Sequence, residues 1–222
     1  MAKIKTLSAF QDAIDADFAW RIKEISNLKT EVSGSSSIAK TTLIRAGIAL
    51  LYAHWEGFIK ASSSHYLSYI TGQSLTYSEL KSCFVFLGLR AHLNRLSEAG
   101  GSRGGAEALD FIRSQMNERA RVSHPKSINT QSNLSSKVFD NIASSIGIRV
   151  DYYEARFNLI DESLLARRNK IAHGEFLDIS ADEWRALADE VLVMLRTFKT
   201  DLENAAALDD FRAPAPAIPA AG

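Results

Sequence analysis

The residues with the clearest chemical potential lie close together near position 170. Arg168 supplies a fixed positive charge, Asn169 an amide and His173 an imidazole. Asn169 and His173 are four residues apart on a predicted helix and share one face, and the long Arg168 side chain can reach the same edge. These groups suit the cleavage of a phosphodiester, because a guanidinium binds phosphate oxygens and an imidazole transfers protons.

The same residues also fit a purely structural role. Arginine and histidine in the last turn of a helix both interact favourably with the helix dipole, and such pairs are common without function. No set of metal ligands accompanies them, and the single cysteine, Cys83, excludes an intramolecular disulfide and a cysteine-based zinc site. We therefore expect a site that needs no metal ion and no other cofactor.

The segments that must position these residues predict an all-α chain. None of the four prolines precedes Pro125, and no stretch alternates polar and β-branched residues as a half-buried strand would. Apolar periodicity and glycine stops, including Gly100-Gly101 after the third segment, predict helices at 7–32, 38–70, 78–99, 106–122, 137–146, 162–173 and 181–206. Ser135 or Ser136, Asp161 and Ser180 are the expected N-terminal caps of the last three.

These helices are expected to form one domain over residues 1–210, with the middle helices as an inserted region. Residues 211–222 are rich in proline and alanine, so we expect this tail to be disordered. No stretch is long and apolar enough to span a membrane, and the first residues lack the apolar core of a signal peptide. A cytoplasmic location is the expectation.

Charge is balanced overall but unevenly distributed. Lys and Arg total 26, as do Asp and Glu, yet residues 1–174 hold 22 basic against 16 acidic residues and residues 175–210 hold 3 against 10. The basic residues nearest the motif are Arg149, Arg156, Arg167, Arg168 and Lys170. Neutrality therefore does not exclude RNA as a ligand. It favours a local phosphate site over non-specific coating of nucleic acid.

The motif resembles that of the HEPN superfamily (higher eukaryotes and prokaryotes nucleotide-binding domains). Residues 168–173 match the arginine–polar–x–x–x–histidine signature of that superfamily. The chain is similar to the MAE-type bacterial branch in three blocks, at 51–60 (LYAHWEGFIK), 129–134 (NTQSNL) and 160–174. The blocks occur in the right order, and the similarity extends over most of the chain.

The resemblance implies a HEPN-type helical bundle that dimerises and brings two motif helices to a shared cleft. Arg168 and His173 would be catalytic and Asn169 their polar auxiliary. The implied activity is metal-independent cleavage of RNA through attack by a 2′-hydroxyl, in bacterial defence or a toxin–antitoxin system. The implied partners are an RNA substrate, a second copy of the chain and an antitoxin or defence-system protein.

Two alternatives stay open at this point. Some members of the superfamily are catalytically inactive and only bind RNA, nucleotides or other proteins, and a purely structural bundle is a further reading. One departure bears on control. Some HEPN toxins carry a tyrosine two residues after the motif histidine, to which a partner enzyme attaches AMP, and this position is Glu175 here. The resemblance therefore implies a different control mechanism.

Four charged residues are expected to support the motif: Glu56, Lys60, Arg167 and Lys170. Glu56 and Lys60 are four residues apart on the central predicted helix and could form a local ion pair. Alternatively, Glu56 faces the motif helix and orients one of its side chains. On the same helix, His54 and Trp55 are expected in the core rather than in a ligand site.

The polar segment 127–133 has two interpretations. It either contacts RNA or shapes the dimer cleft, as functional loops on rigid scaffolds do, or it is an ordinary solvated connector. His124, Arg119 and Arg121 lie next to it and could add phosphate contacts. His65, His92 and Cys83 form no convincing constellation.

Overall fold

The computed structural model describes residues 4–98, 101–122 and 127–214. These residues contain eight α-helices and no extended strand, which confirms the all-α prediction. A 3₁₀ turn at Tyr77–Glu79 precedes α3, and a π-helical segment at Leu159–Ala166 runs directly into α7. The helices are α1 (Leu7–Gly34), α2 (Ser37–Gly72), α3 (Ser82–Glu98), α4 (Gly101–Gln115), α5 (Ser136–Ser145), α6 (Asp151–Glu154), α7 (Arg167–Ala172) and α8 (Ala181–Ala207).

The core forms where α1, α2 and α8 pack together, and the π segment with α7 packs against α2. Because α2 is apolar around most of its circumference, it can be covered on several sides at once. Each fully buried aliphatic or aromatic side chain contributes about 1.5–3 kcal/mol relative to exposure. Side chains with no exposed surface include Ile48, Leu51, Trp55 and Phe58 of α2, Phe10 and Ile14 of α1, and Val191, Met194 and Phe198 of α8.

Most predicted helices are found within a few residues of their expected bounds. The Ser135 and Ser180 caps are confirmed, since their side chains accept hydrogen bonds from the backbone N–H groups of Val138 and Glu183. α6 was not predicted. The C-terminal stop expected at Gly100-Gly101 falls partly outside the described residues, and Gly101 itself begins α4.

The prediction of a helix over 106–122 is wrong in its second half, because α4 ends at Gln115. A turn follows, and Arg119 then forms an antiparallel bridge with Thr76 in a distant segment. The N–H of Tyr77 donates to the carbonyl of Glu118 at 3.1 Å, and the N–H of Ala120 to that of Leu75 at 2.8 Å. Because the same pairing involves residues 75–78, α3 begins later than predicted, at Ser82 after the 3₁₀ turn.

Asp161 does not cap a helix at its own position, because it lies inside the π segment. Its carboxylate instead accepts hydrogen bonds from the backbone N–H and the hydroxyl of Ser136, at 2.7 and 2.5 Å. Ser136 is the first residue of α5, so Asp161 joins the segment that leads into α7 to the start of α5.

The described part of the predicted tail is packed at its first residue. Phe211 has no exposed surface, and its carbonyl accepts a hydrogen bond from the N–H of Lys81 at 3.0 Å. Residues 215–222 lie outside the described residues, so disorder there stays a prediction. In the described part of the chain, no helix is both long and apolar enough to cross a membrane.

A buried polar cluster joins α1 to α2. His54 is 1% exposed, with Nε2 2.9 Å from Oε2 of Glu24, and the neighbouring Trp55 has no exposed surface. Burial lowers the pKa of His54, so the ring is neutral near pH 7. Buried Arg21 donates to both carboxylate oxygens of Asp17 at 3.1 Å. The core placement of His54 and Trp55 is therefore confirmed.

Gly47 determines how closely α2 and α8 approach, and its substitution tests this packing. A Cβ at Gly47 would lie 2.7 Å from Nε1 of Trp184, so the Trp184 side chain or the backbone that carries it would have to shift. We expect Gly47→Ala to lower the free energy of unfolding by about 1–3 kcal/mol, measured by urea titration. The matched control is Gly105→Ala in α4, where the Cβ meets nothing within 4 Å, and a gain of up to about 1 kcal/mol is expected. Equal effects at both positions would contradict the packing.

Asp161→Ala tests the connection to α5. The substitution leaves the N–H of buried Ser136 without its charged acceptor, so a loss of about 1–3 kcal/mol in the free energy of unfolding is expected. Glu162→Ala is the control, because Glu162 is exposed and adjacent, and its effect should stay within about 0.5 kcal/mol. A loss no larger than that of the control would refute the assigned role of Asp161.

Candidate functional site

The motif residues lie on α7, which continues the π segment without a break. π-helical hydrogen bonding is rare and occurs often at functional sites. α7 ends at Ala172, His173 is its C-terminal cap, and Gly174 takes a left-handed conformation with φ of 76°. The N–H of Glu175 then returns to the carbonyl of Lys170 at 2.9 Å. Glycine suits this turn because a side chain would be strained at positive φ.

Arg168 is held on three sides. Its Nη2 donates hydrogen bonds to the carbonyl of Ser132 at 3.2 Å and to Oδ1 of Asn133 at 2.8 Å. Its guanidinium carbon lies 4.0 Å from the centre of the Tyr52 ring, a cation–π contact. Its Nε is buried without a hydrogen-bond partner. We call Tyr52, Ser132 and Asn133 the arginine clamp.

Behind the clamp, α2 and the 129–134 loop are joined by two short hydrogen bonds. The Tyr52 hydroxyl accepts the N–H of Leu134 at 2.6 Å, and the Thr130 hydroxyl donates to Oε1 of Glu56 at 2.5 Å. Burial raises the pKa of Tyr52, and the hydrogen bond and charge of Glu56 raise it further, against the opposing effects of Leu134 and Arg168. Tyr52 is therefore a neutral phenol near pH 7.

Specific backbone conformations and contacts define the shape of the 129–134 loop. Gln131 and Ser132 both have left-handed backbones, with φ of 56° and 58°, and the Asn129 side chain accepts the N–H of Gln131 at 2.9 Å. Thr130 is 4% exposed and Leu134 is fully buried. Segment 127–133 contacts Arg168 through Ser132 and Asn133, while its contact with RNA or a dimer cleft stays a prediction. Residues 123–126, including His124, lie outside the described residues.

His173 and Asn169 are placed differently from Arg168. The His173 side chain is exposed and Asn169 is half-buried, and the described contacts include no hydrogen bond to either side chain. Two residues beyond Gly174, Phe176 is 80% exposed. Arg45 of α2 supports this segment by donating to the carbonyl of Glu175 at 2.8 Å. His173 therefore does not serve as a core residue.

The four predicted supporting residues separate in the structure. Glu56 contacts the loop that holds Arg168, as described above, whereas Lys60 is exposed and forms no ion pair with it. Lys170 is exposed on α7. Arg167 turns toward α8, where its Nη2 lies 4.0 Å from Glu183, beside a cavity of about 240 Å³ between the π segment and α8. Their support of a reaction stays a prediction.

Sequence reasoning assigned no role to Tyr52 or Asn133, although both lie in blocks that carry the family resemblance. A usable signal was present, because three separated blocks similar to one family suggest that they meet in space. The structure brings these three blocks together at Arg168.

Comparison with known proteins identifies a family for this chain. The model of the RiboL-PSP-HEPN family matches residues 16–204, most of the chain, and includes α2, the loop and the motif. No curated protein and no solved structure shows significant similarity to the chain. The predicted superfamily is confirmed, while the MAE-type branch stays a prediction. The chain belongs to the RiboL-PSP-HEPN family of HEPN domains.

Proposed function

We propose that the protein is a metal-independent endoribonuclease whose site is shared by two copies of the chain. The observation that carries the proposal is the contrast between a held arginine and a free histidine on one short helix. Arg168 is fixed by the arginine clamp, as a phosphate-binding group should be, whereas the His173 imidazole is exposed, and no hydrogen bond from the described part of the chain engages it.

The proposed reaction is an internal displacement at phosphorus. The His173 imidazole takes the proton of the ribose 2′-hydroxyl, and this oxygen attacks the adjacent phosphorus. The bond to the 5′-oxygen breaks, and that oxygen receives a proton from the second copy's imidazole or from water. Arg168 stabilises the negative charge that develops on the phosphate oxygens, and Asn169 orients the phosphate. The products are a 2′,3′-cyclic phosphate and a 5′-hydroxyl.

The helix geometry supports a site shared between chains. Arg168 and His173 are five residues apart, which separates them by about 7.5 Å along the helix and about 140° around it. Arg168 faces the loop, while His173 faces solvent. A single phosphate is therefore poorly placed to contact both side chains of one copy. A second motif helix would bring the arginine of one chain beside the histidine of the other.

A role in bacterial defence or a toxin–antitoxin system is part of the proposal. An enzyme that cleaves cellular RNA must be restrained, and an antitoxin or defence-system protein would do so. Since Glu175 stands where related toxins carry the modified tyrosine, restraint would depend on binding rather than on that modification. The rival function is an RNA- or nucleotide-binding module that uses the same surface without cleavage.

Cleavage of a mixed RNA in EDTA tests the activity. We expect His173→Ala and Arg168→Ala to lower the rate by at least about 100-fold, because each removes a group that acts in the transition state. The wild type should yield cyclic phosphate ends and leave a 2′-deoxy substrate intact, since the nucleophile is then absent. The control is His92→Ala, which changes an exposed histidine on α3. Equal cleavage by all variants would identify a contaminating nuclease, and RNA binding without cleavage by the wild type would favour the rival function.

Mixing the two inactive variants tests the shared site. A dimer of one His173→Ala chain and one Arg168→Ala chain, purified through two different tags, retains one complete cross-chain pair. We expect it to recover up to about half of the wild-type rate, because one of the two symmetric pairs is intact. If the reacting arginine and histidine came from the same chain, the mixed dimer would remain as inactive as its parents.

A further inference from the structure

We infer that Tyr52 and Asn133 are positioning residues, which aim one edge of Arg168 at the phosphate of the substrate. The inference rests on the proposed function and adds a role for residues outside the motif. It concerns the direction in which the guanidinium presents its free protons, which the motif alone does not define.

The N–H donors of Arg168 indicate which part of the guanidinium can meet phosphate. A guanidinium has five N–H protons: one on Nε and two each on Nη1 and Nη2. The carbonyl of Ser132 and Oδ1 of Asn133 occupy both protons of Nη2, and Nε is buried. The hydrogen bonds described for Arg168 do not use Nη1, so we assign Nη1 as the edge that meets phosphate.

The plane of the Arg168 guanidinium is also restrained. Two acceptors on Nη2 restrain rotation within the guanidinium plane, and the Tyr52 ring at 4.0 Å restrains tilting out of it. Tyr52 is 4% exposed and cannot swing away, since its hydroxyl is bound by the N–H of Leu134. Position, tilt and rotation are thus all restrained before substrate arrives. Such preorganisation matters because a misplacement of about 1 Å can lower a rate about 100-fold.

The loop that carries the two acceptors of Arg168 is itself fixed. Gln131 and Ser132 adopt left-handed backbones that cost about 1–3 kcal/mol each, so the surrounding contacts must hold the loop in this shape. The hydrogen bond of Thr130 to Glu56 and the burial of Leu134 do so. Glu56 thereby acts on Arg168 indirectly, through the loop and Tyr52, rather than by an ion pair between the two side chains.

A merely structural contact, in which Arg168 ties down the loop, would use the same hydrogen bonds. The two roles differ in the expected effect on cleavage when the Arg168 guanidinium keeps its charge but loses its fixed position. Asn133→Ala keeps the positive charge of Arg168 but frees one of its anchors. Tyr52→Phe keeps the ring beneath the guanidinium, and Tyr52→Leu removes it.

The deciding experiment measures single-turnover cleavage of RNA by these variants together with their unfolding midpoints. We expect Asn133→Ala and Tyr52→Leu to lower the rate of the chemical step by about 10–100-fold with little change in KM. Tyr52→Phe, which keeps the ring but loses the hydroxyl that binds Leu134, should lower it less. In an Arg168→Ala background, Asn133→Ala should cause no further loss, because there is no guanidinium left to position. The control is Gln131→Ala, an exposed side chain in the same loop.

The outcomes separate the two proposals. Wild-type cleavage that Asn133→Ala and Tyr52→Leu leave unchanged would overturn the positioning role alone, as would a loss that persists undiminished without Arg168. If the wild type binds RNA without cleaving it, the proposed function fails. The positioning role is then tested by affinity, in which Asn133→Ala should weaken RNA binding and Gln131→Ala should not. Absence of both cleavage and RNA binding would overturn both proposals.

Discussion

The burial of α2 on several sides is the constraint on which the rest of the structure depends. One side of this helix meets α1 and α8 in the core, and another meets the π segment and α7. Phe58 packs against Phe18 of α1, while Tyr52 and Glu56 face the site. A side chain on α2 therefore has a position that is fixed by the packing of the whole bundle. This rigidity gives the Tyr52 ring a fixed position beneath the Arg168 guanidinium of α7.

The site combines an arginine that its neighbours hold in place with a histidine that no described contact holds. A guanidinium loses hydration when it is partly buried, and the ring face of Tyr52 and the oxygens of Ser132 and Asn133 offset this loss. Neither oxygen contributes a full negative charge, so the positive charge of Arg168 is not cancelled by an ion pair. It remains available to an anion. A carboxylate in the place of Asn133 would have held the arginine as well but would have repelled phosphate.

The π segment explains how adjacent residues of the motif serve different neighbours. Arg167 extends toward Glu183 of α8, whereas Arg168 extends toward the loop, although they are consecutive. Asp161, in the same segment, binds the start of α5, the helix that follows the loop. Two contacts thus join the motif helix and its π segment to the preceding part of the chain. Arg168 binds the 129–134 loop, and Asp161 binds the start of α5 just after it.

Local interactions are what the sequence alone could determine about this protein. Helices with strong apolar periodicity, the serine caps and the glycine turn after His173 depend on residues a few positions apart, and they were predicted correctly. The motif and the superfamily were also readable, because residue types and their order are properties of the chain itself. Tertiary structure decided the end of α4, the partner of Asp161 and the surroundings of Arg168. In each case a polar group found its hydrogen-bond partner far along the chain, as Arg168 did at Asn133 and Tyr52. Because hydrogen bonds depend on distance and direction in space, their partners become defined only once the helices have packed around α2.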